Sequence, residues 1–342
     1  MGHIKIHIVY NFTDIPFGGA NQFLKALRDF FIKKGCYSKS IKDADVVILN
    51  SHLFGQGITL FSIIWKYRYL LREKTVLHRV DGPVSLYQAK NRFSVDKYIF
   101  KISRLVSDGT VFQSFWSRKE CKSIGMPSKT FELVTINAPD PKIFFPKFLP
   151  SPSVGEKFRL IANSWSTNPN KGFDIFEYLD SHLDFEKYEV TFIGRSPVPF
   201  RKIKLINPLP SFQLAEQLRE HHIFVSASFR EACSNSLIEG IHCGCIPVAR
   251  NTSSHPEIIN EAGTLFEGPE DVLNAIDQTA VKYEELKENL RLPKLIEIGQ
   301  RYYDFCCKVH AEQHLREKKL SLVSALSFKW SELQFRIEQR FG

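Results

Sequence analysis

Residues 225–258 read VSASFREACSNSLIEGIHCGCIPVARNTSSHPEI, and their order decides the fold. Residues 223–227 are a short apolar run that suits a buried parallel strand, and residues 237–242 are a brief helical run. A polar loop carrying Phe229, Arg230 and Glu231 joins them. Gly244 ends the helix, and residues 245–249 form a second strand in which Pro247 is confined to a strand edge or start. Strand, polar loop, helix, strand is the repeat of an open α/β sheet, whose ligands lie at the carboxyl ends of its strands.

Glu231 and Glu239 are eight positions apart across this unit. On one continuous helix they would stand ~80° apart and ~12 Å along the axis, too far to share a small ligand. The loop reading removes that objection: Glu231 precedes the helix, Glu239 lies about one turn inside it, and both can face one pocket. Ser234, Asn235 and Ser236 are good N-cap residues and bring unpaired backbone N–H groups to the same place, which suits a phosphate. Carboxylates beside a phosphate-binding helix end call for a ligand with both hydroxyls and phosphate. A sugar nucleotide has both.

The stretch resembles the donor site of the retaining glycosyltransferases of family four. Their signature is Glu, seven residues, Glu, then a small-residue helix end, a Pro-Val strand and a loop ending in Pro-Glu. Here those elements are Glu231, Glu239, CGCIPVA and His255-Pro256-Glu257, while Ala232, Cys233 and Gly240 depart from the residues most common there. The resemblance implies the GT-B fold, an α/β architecture of two Rossmann-like domains facing across a cleft. It implies that Glu239 holds the ribose hydroxyls and Glu231 a hydroxyl of the transferred sugar. It further implies a nucleoside diphosphate sugar as donor substrate, no separate cofactor, no metal, and a glycan or lipid-linked acceptor in polysaccharide or glycoconjugate synthesis.

Composition agrees with two ordinary α/β domains. The chain has 342 residues, and its apolar runs are far shorter than a membrane span. HIKIHIVY near the start alternates like a strand, unlike a signal peptide. Seven cysteines without ligand spacing point to a reducing, cytoplasmic compartment. The net charge of +9, from 46 basic and 37 acidic residues, favours anionic partners: a sugar nucleotide or the inner face of an anionic membrane. No zinc-finger, RRM-like or basic-zipper pattern accompanies it, so nucleic acid is not expected.

In the first half, residues 4–10 and 44–50 read as strands. Gly18 and Gly19, opening a helix, let backbone approach a ligand; in the resembled family a Gly-Gly loop faces the donor phosphates and the acceptor. There is no G-x-G-x-x-G, which counts against a dehydrogenase. Asp43 and Asp45 form a D-x-D that precedes its strand instead of following it, so it reads as a solvated turn. FSIIWKYRYLLREK at 61–74 reads as a core-packing helix with snorkelling basic stems, the competing reading being a membrane patch. TVLHRVDGP at 75–83 is a strand ending in Asp81. Asp81 is either a turn-former or, as the resemblance implies, a catalytic residue beside the reacting sugar carbon, with His78 three residues earlier. Residues 108–120 read as a strand and a helix capped near Ser114 or Ser117, and 131–146 holds the last strand of this half.

Pro146, Pro150 and Pro152 mark a linker, which divides an acceptor-binding domain, 1–150, from a donor-binding domain, 151–308. In the second half Lys171-Gly172 precedes a helix, and the resemblance implies that Lys171 neutralises the donor diphosphate. The Arg that helps it in the family is Ser166 here, which leaves Asn163, Ser164 and Asn168 as neutral donors. Arg195, at a strand end, reads as either a base or phosphate contact or a surface charge. Residues 309–342 form a helical extension with an apolar stripe from Leu322 to Phe341, suited to packing on its own protein or on an anionic bilayer. Two other readings remain from sequence alone: a sugar-nucleotide epimerase using Asp81 and His78, or a non-catalytic nucleotide-binding or membrane-associated scaffold.

Overall fold

The computed structural model describes residues 4–13, 19–52, 74–87 and 93–312, and within the tail residues 326, 329, 330, 332 and 333. Gly18, the greater part of the 61–74 helix and most of the 309–342 extension lie outside the described residues.

Two parallel sheets carry the chain. In the first, β1 (Ile6–Val9), β2 (Val46–Asn50), β3 (Thr75–Val80), β4 (Gly109–Phe112) and β5 (Phe131–Val134) lie side by side in that order. Tyr37 bridges to Ile6 in parallel fashion, with Ile6 N donating to the Cys36 carbonyl. Because β2 bonds through the neighbouring Lys5 carbonyl, Tyr37 lies on the opposite edge of β1. The strand order therefore reverses between β1 and β2.

The second sheet holds β6 (Phe158–Ser164), β7 (Tyr188–Gly194), β8 (Lys204–Ile206), β9 (Ile223–Ser226), β10 (Ile246–Arg250) and β11 (Thr264–Phe266). Its order is β11-β10-β9-β6-β7-β8, so it reverses between β6 and β9. Such switch points leave a crevice at the strands' carboxyl ends.

The helices of the first half are α1 (Gly19–Lys33), α2 (Val84–Tyr87), α3 (Phe93–Leu105) and α4 (Phe115–Ser123). Those of the second are α5 (Phe173–His182), α6 (Ser211–Arg219), α7 (Asn235–His242), α8 (His255–Ile259), α9 (Pro269–Val281), α10 (Tyr283–Asn289) and α11 (Leu295–Ala311). They cover both faces of each sheet. Leu214 and Leu218 of α6 and Leu237 and Ile241 of α7 pack on Ile161, Phe224 and Ile246, while Phe176 and Leu179 of α5 and Val272 and Ile276 of α9 take Leu160, Val190 and Val248. Burial on both sides is why these strands read as nearly continuous apolar runs.

Helix α11 begins inside the 151–308 segment and runs past its end to Ala311, but packs on the first sheet. Its Ile298, Tyr302 and Phe305 share a core with Ile6, Ile48, Leu77 and with Leu24 and Leu27 of α1. A Cβ at Gly299 would lie 2.5 Å from the Phe30 ring, so the contact between α11 and α1 is close enough to need glycine. All seven cysteines are free thiols. Among the described residues no helix is long and apolar enough to cross a membrane.

Candidate active site

The two switch points face each other, and the residues singled out by sequence gather between them. On the second-domain side, Pro169–Lys171 forms one 3-10 turn, and Gly172 follows at φ 74°. A Cβ there would lie 2.0 Å from the Ala227 carbonyl oxygen, so glycine is required on both counts. This contact holds the loop against the end of β9 and places Lys171 beside the 229–231 loop. The Lys171 ammonium forms an ion pair with Glu231 Oε1.

Glu239 sits about one turn into α7, as the loop reading requires. Its carboxylate has no hydrogen-bond partner among the described residues, and burial pushes its pKa from 4.5 up to about 8. Ser234 occupies the N-cap of α7, but its side chain makes no capping bond; its Oγ lies 3.4 Å from Ser236 Oγ. The expected cap position is therefore present, and the backbone N–H groups of the first turn are not consumed by it. Of the neutral donors considered near Lys171, Asn168 Nδ2 donates to the Tyr87 carbonyl and Ser164 Oγ to the Ser166 carbonyl, so both are engaged. The Arg195 side chain is exposed.

On the first-domain side, Asp81 lies at the end of β3 and is held from three directions. Its Oδ1 accepts from Arg79 Nη1 at 2.6 Å and Gln113 Nε2 at 2.8 Å, and its Oδ2 accepts from Asn50 Nδ2 at 3.2 Å. Arg79 is fully buried and also donates to Asn50 Oδ1, Gln113 Oε1 and Asn137 Oδ1, at 2.5, 2.6 and 3.0 Å. Burial opposes its charge most strongly, but the Asp81 carboxylate together with Tyr302 and Cys233 more than offsets it and raises the guanidinium's pKa.

His78 is not part of this site. Its ring is fully buried and bonds the Ser51 carbonyl at 2.8 Å, and burial lowers its pKa to about 4. The pairing of Asp81 with His78 as ring acid and base is thereby withdrawn. Asp45 is likewise remote, at the amino end of β2, where its carboxylate accepts from Lys5 N at 2.7 Å.

The two walls touch. A Cβ at Gly19, the first residue of α1, would lie 2.1 Å from Asn235 Nδ2, and one at Gly82 would lie 2.7 Å from Ala232 Cβ. Gly82 also has φ 93°. Asn137 Nδ2 donates to Asn235 Oδ1 at 2.9 Å, and the Glu257 carboxylate accepts from Phe115 N and Trp116 N at 2.9 and 3.1 Å. The loops bearing Asp81 and Glu231 are thus adjacent across the cleft. Tyr87 lies within reach of both: burial and the nearby Asp81, Asp96 and Glu231 carboxylates raise its phenol well above the usual value.

Sequence reasoning missed Arg79, Gln113, Asn137 and Tyr87, and it missed Arg250. Arg250 ends β10, is 3% exposed, pairs with Asp174 at 2.9 Å and stacks under Phe229 at 3.6 Å. A charged residue ending an otherwise apolar strand, as in IPVAR or TVLHRV, was the available signal in two of these cases.

Residues 173–280 match the family model described as Glycosyl transferases group 1. This stretch is similar to a glycosyl transferases group 1 domain. It contains Glu231, Glu239, Arg250 and Glu257 and begins two residues after Lys171. Comparison with curated protein sequences finds no match. Solved structures resemble the chain along most of its length. HepE of Anabaena in complex with UDP-glucose has 12% identity and a TM-score of 0.62, covering 91% of this chain and 98% of that one. Sucrose-phosphate synthase from Thermosynechococcus elongatus has 11% identity and a TM-score of 0.60, covering 98% and 100%. The catalytic domain of starch synthase IV from Arabidopsis thaliana, bound to ADP and acarbose, has 12% identity and a TM-score of 0.59, covering 86% and 79%. At such identities the likeness is one of fold, and the fold is GT-B.

Proposed function

We infer that this glycosyltransferase moves a sugar, of hexosyl type, from a nucleoside diphosphate donor to an acceptor hydroxyl with retention and without a metal. The observation that carries the reading is the Glu239 carboxyl, without a partner among the described residues and one turn inside a helix whose N-terminus has no side-chain cap, on the same wall as the Lys171–Glu231 pair. Glu239 would take the ribose hydroxyls. The α7 N–H groups and Lys171 would take the diphosphate, as fixed positive charge where negative charge develops. Glu231 would hold a sugar hydroxyl once Lys171 turns to the phosphate. Asp81, kept in place by Arg79 and Gln113, would set a negative charge beside the sugar carbon as that carbon becomes electron-poor. In a front-side displacement the bond from that carbon to the phosphate oxygen breaks and the bond to the acceptor oxygen forms on the same face. The acceptor proton then passes to the departing diphosphate.

Neighbours of the same fold hold UDP-glucose or ADP, which supports a nucleotide in the second domain. A glycan or lipid-linked acceptor, a role in polysaccharide or glycoconjugate synthesis, and a cytoplasmic site at the inner membrane face complete the proposal.

The test is incubation with a panel of labelled nucleoside diphosphate sugars, with and without glycan and lipid-linked acceptors, and with EDTA. Acceptor-dependent label transfer that EDTA leaves intact, with the product anomer matching the donor by NMR, is the expected result. Interconversion of donor sugars without acceptor would replace transfer by epimerisation, an inverted anomer would end the retaining assignment, and loss of activity with EDTA that Mg²⁺ restores would end the metal-free one.

A further inference from the structure

Asn137, in the loop after β5, is 1% exposed and spends both amide hydrogens. Its Nδ2 donates to Gln113 Oε1 and to Asn235 Oδ1, both at 2.9 Å, and its Oδ1 accepts from Arg79 Nη2 at 3.0 Å. Its backbone N–H faces Cys233 Sγ at 3.5 Å. One amide therefore joins the buried cation of the first domain to the first residue of the donor-side helix α7. Gln113 continues the chain, because its Oε1 accepts from both Arg79 and Asn137 while its Nε2 donates to Asp81 Oδ1.

We propose that Asn137 is a positioning residue that couples closure of the cleft to the orientation of Asp81. The other ties across the cleft are of a different kind. Glu257 bonds backbone N–H groups of α4, Arg230 donates to the Leu86 carbonyl, and Asn168 donates to the Tyr87 carbonyl. Each ends on main chain and would hold the domains together without acting on a reactive side chain. Asn137 to Asn235 is, among the described residues, the side-chain pair that continues into the network around Asp81. Opening the cleft removes the Asn235 acceptor and leaves one Asn137 amide hydrogen without its protein partner. The neutral amides of Asn137 and Gln113 can repack to satisfy it, and Gln113 is one of three groups that fix Asp81. Closure completes the set and locks the carboxylate in the geometry seen here. Asp81 is thus oriented only when the donor-side helix is seated against Gly19.

The catalytic part rests on the transfer reaction inferred above, and the structural part does not. Full-length wild type, Asn137→Ala, Asn235→Ala, the double variant and Asn235→Asp are compared by amide hydrogen exchange, with and without UDP as probe, and by transfer kinetics with the donor found in the panel. Asn235→Ala leaves the first core untouched, so it keeps the test meaningful should Asn137→Ala fold poorly. The expected result is faster exchange around residues 81–84 and 113 in both single variants, no further increase in the double variant, and protection close to wild type in Asn235→Asp, which keeps the acceptor. Turnover should fall about tenfold at saturating donor, with KM within about twofold and with non-additive effects in the double variant. Unchanged exchange near Asp81 in Asn235→Ala, or turnover losses that simply multiply, would overturn the proposal. If wild type transfers nothing, the transferase reading fails, and the exchange results still decide whether the coupling exists.

Discussion

The two walls of the cleft solve opposite problems. The first-domain wall is paired mostly within itself: Arg79, Asp81, Asn50, Gln113 and Asn137 bond one another, and Asn137 spends its remaining amide hydrogen on Asn235 across the cleft. Among the described residues, the second-domain wall leaves Glu239 without a partner and the N-terminus of α7 without a side-chain cap. One wall is nearly finished by folding, and the other keeps polar groups open. Glu239 is half-buried, and an unpaired carboxyl so placed at a switch point is better evidence of binding than the paired groups opposite it.

The largest effect should come from breaking the finished wall. Arg79→Met leaves the Asp81 carboxylate and three amides without their shared donor, and stability to urea should fall by about 3 to 5 kcal/mol. A loss below about 1 kcal/mol would mean that the network is not self-supporting. On the other wall, Lys171→Ala should cost little stability, because its pair with Glu231 is partly exposed. It should nevertheless slow turnover at saturating donor by about 10² to 10³-fold; undiminished turnover would remove Lys171 from the mechanism.

Glu239→Ala should weaken donor binding by about 1.5 to 3 kcal/mol in calorimetry, since a half-buried, charged acceptor of hydroxyl bonds is lost. The same residue carries a pH signature. Its carboxyl rises from 4.5 to about 8 on folding, so the folded state favours the protonated form. The resulting stability is fully present below pH 4.5 and is lost as pH rises through about 8. Glu239→Gln should flatten stability against pH across that window, and an unaltered slope would show that the group is not buried as described. The smallest effect contrasts two helix starts. Ser114 accepts from Ser117 N at 2.9 Å, so Ser114→Ala should cost about 1 kcal/mol. Ser234 makes no such bond, so Ser234→Ala should stay within about 0.5 kcal/mol by the same denaturation measurement.

Much of the second wall was legible because its determinants are local. Glu231 and Glu239, the serines between them, and Lys171-Gly172 announce themselves by spacing and by the chain conformations that glycine permits. Ser234 shows the limit: residue type located the helix start but did not reveal whether the hydroxyl caps it. The first wall was largely illegible because it is assembled from four separate strand ends. Asn50 lies 29 positions before Arg79, and Asn137 lies 58 after it. No periodicity links them, and Asp81 alone could be a turn-former or a catalytic group until Arg79 was seen beside it. His78 illustrates the converse: it lies near Asp81 in sequence, yet in a strand buried on both faces its ring bonds the Ser51 carbonyl instead. Alternation along β3 separates the two only when the neighbouring sheet and helices are known.

Helix α11 has a consequence for how the protein is made. During synthesis the first five strands emerge long before Ile298, Tyr302 and Phe305, the side chains that close one face of their sheet. Until the ribosome has delivered residues as far as 311, that face is an open apolar groove, and the amino-terminal half is a nascent chain awaiting its lid. Of the two domains, the one translated earlier is therefore completed later.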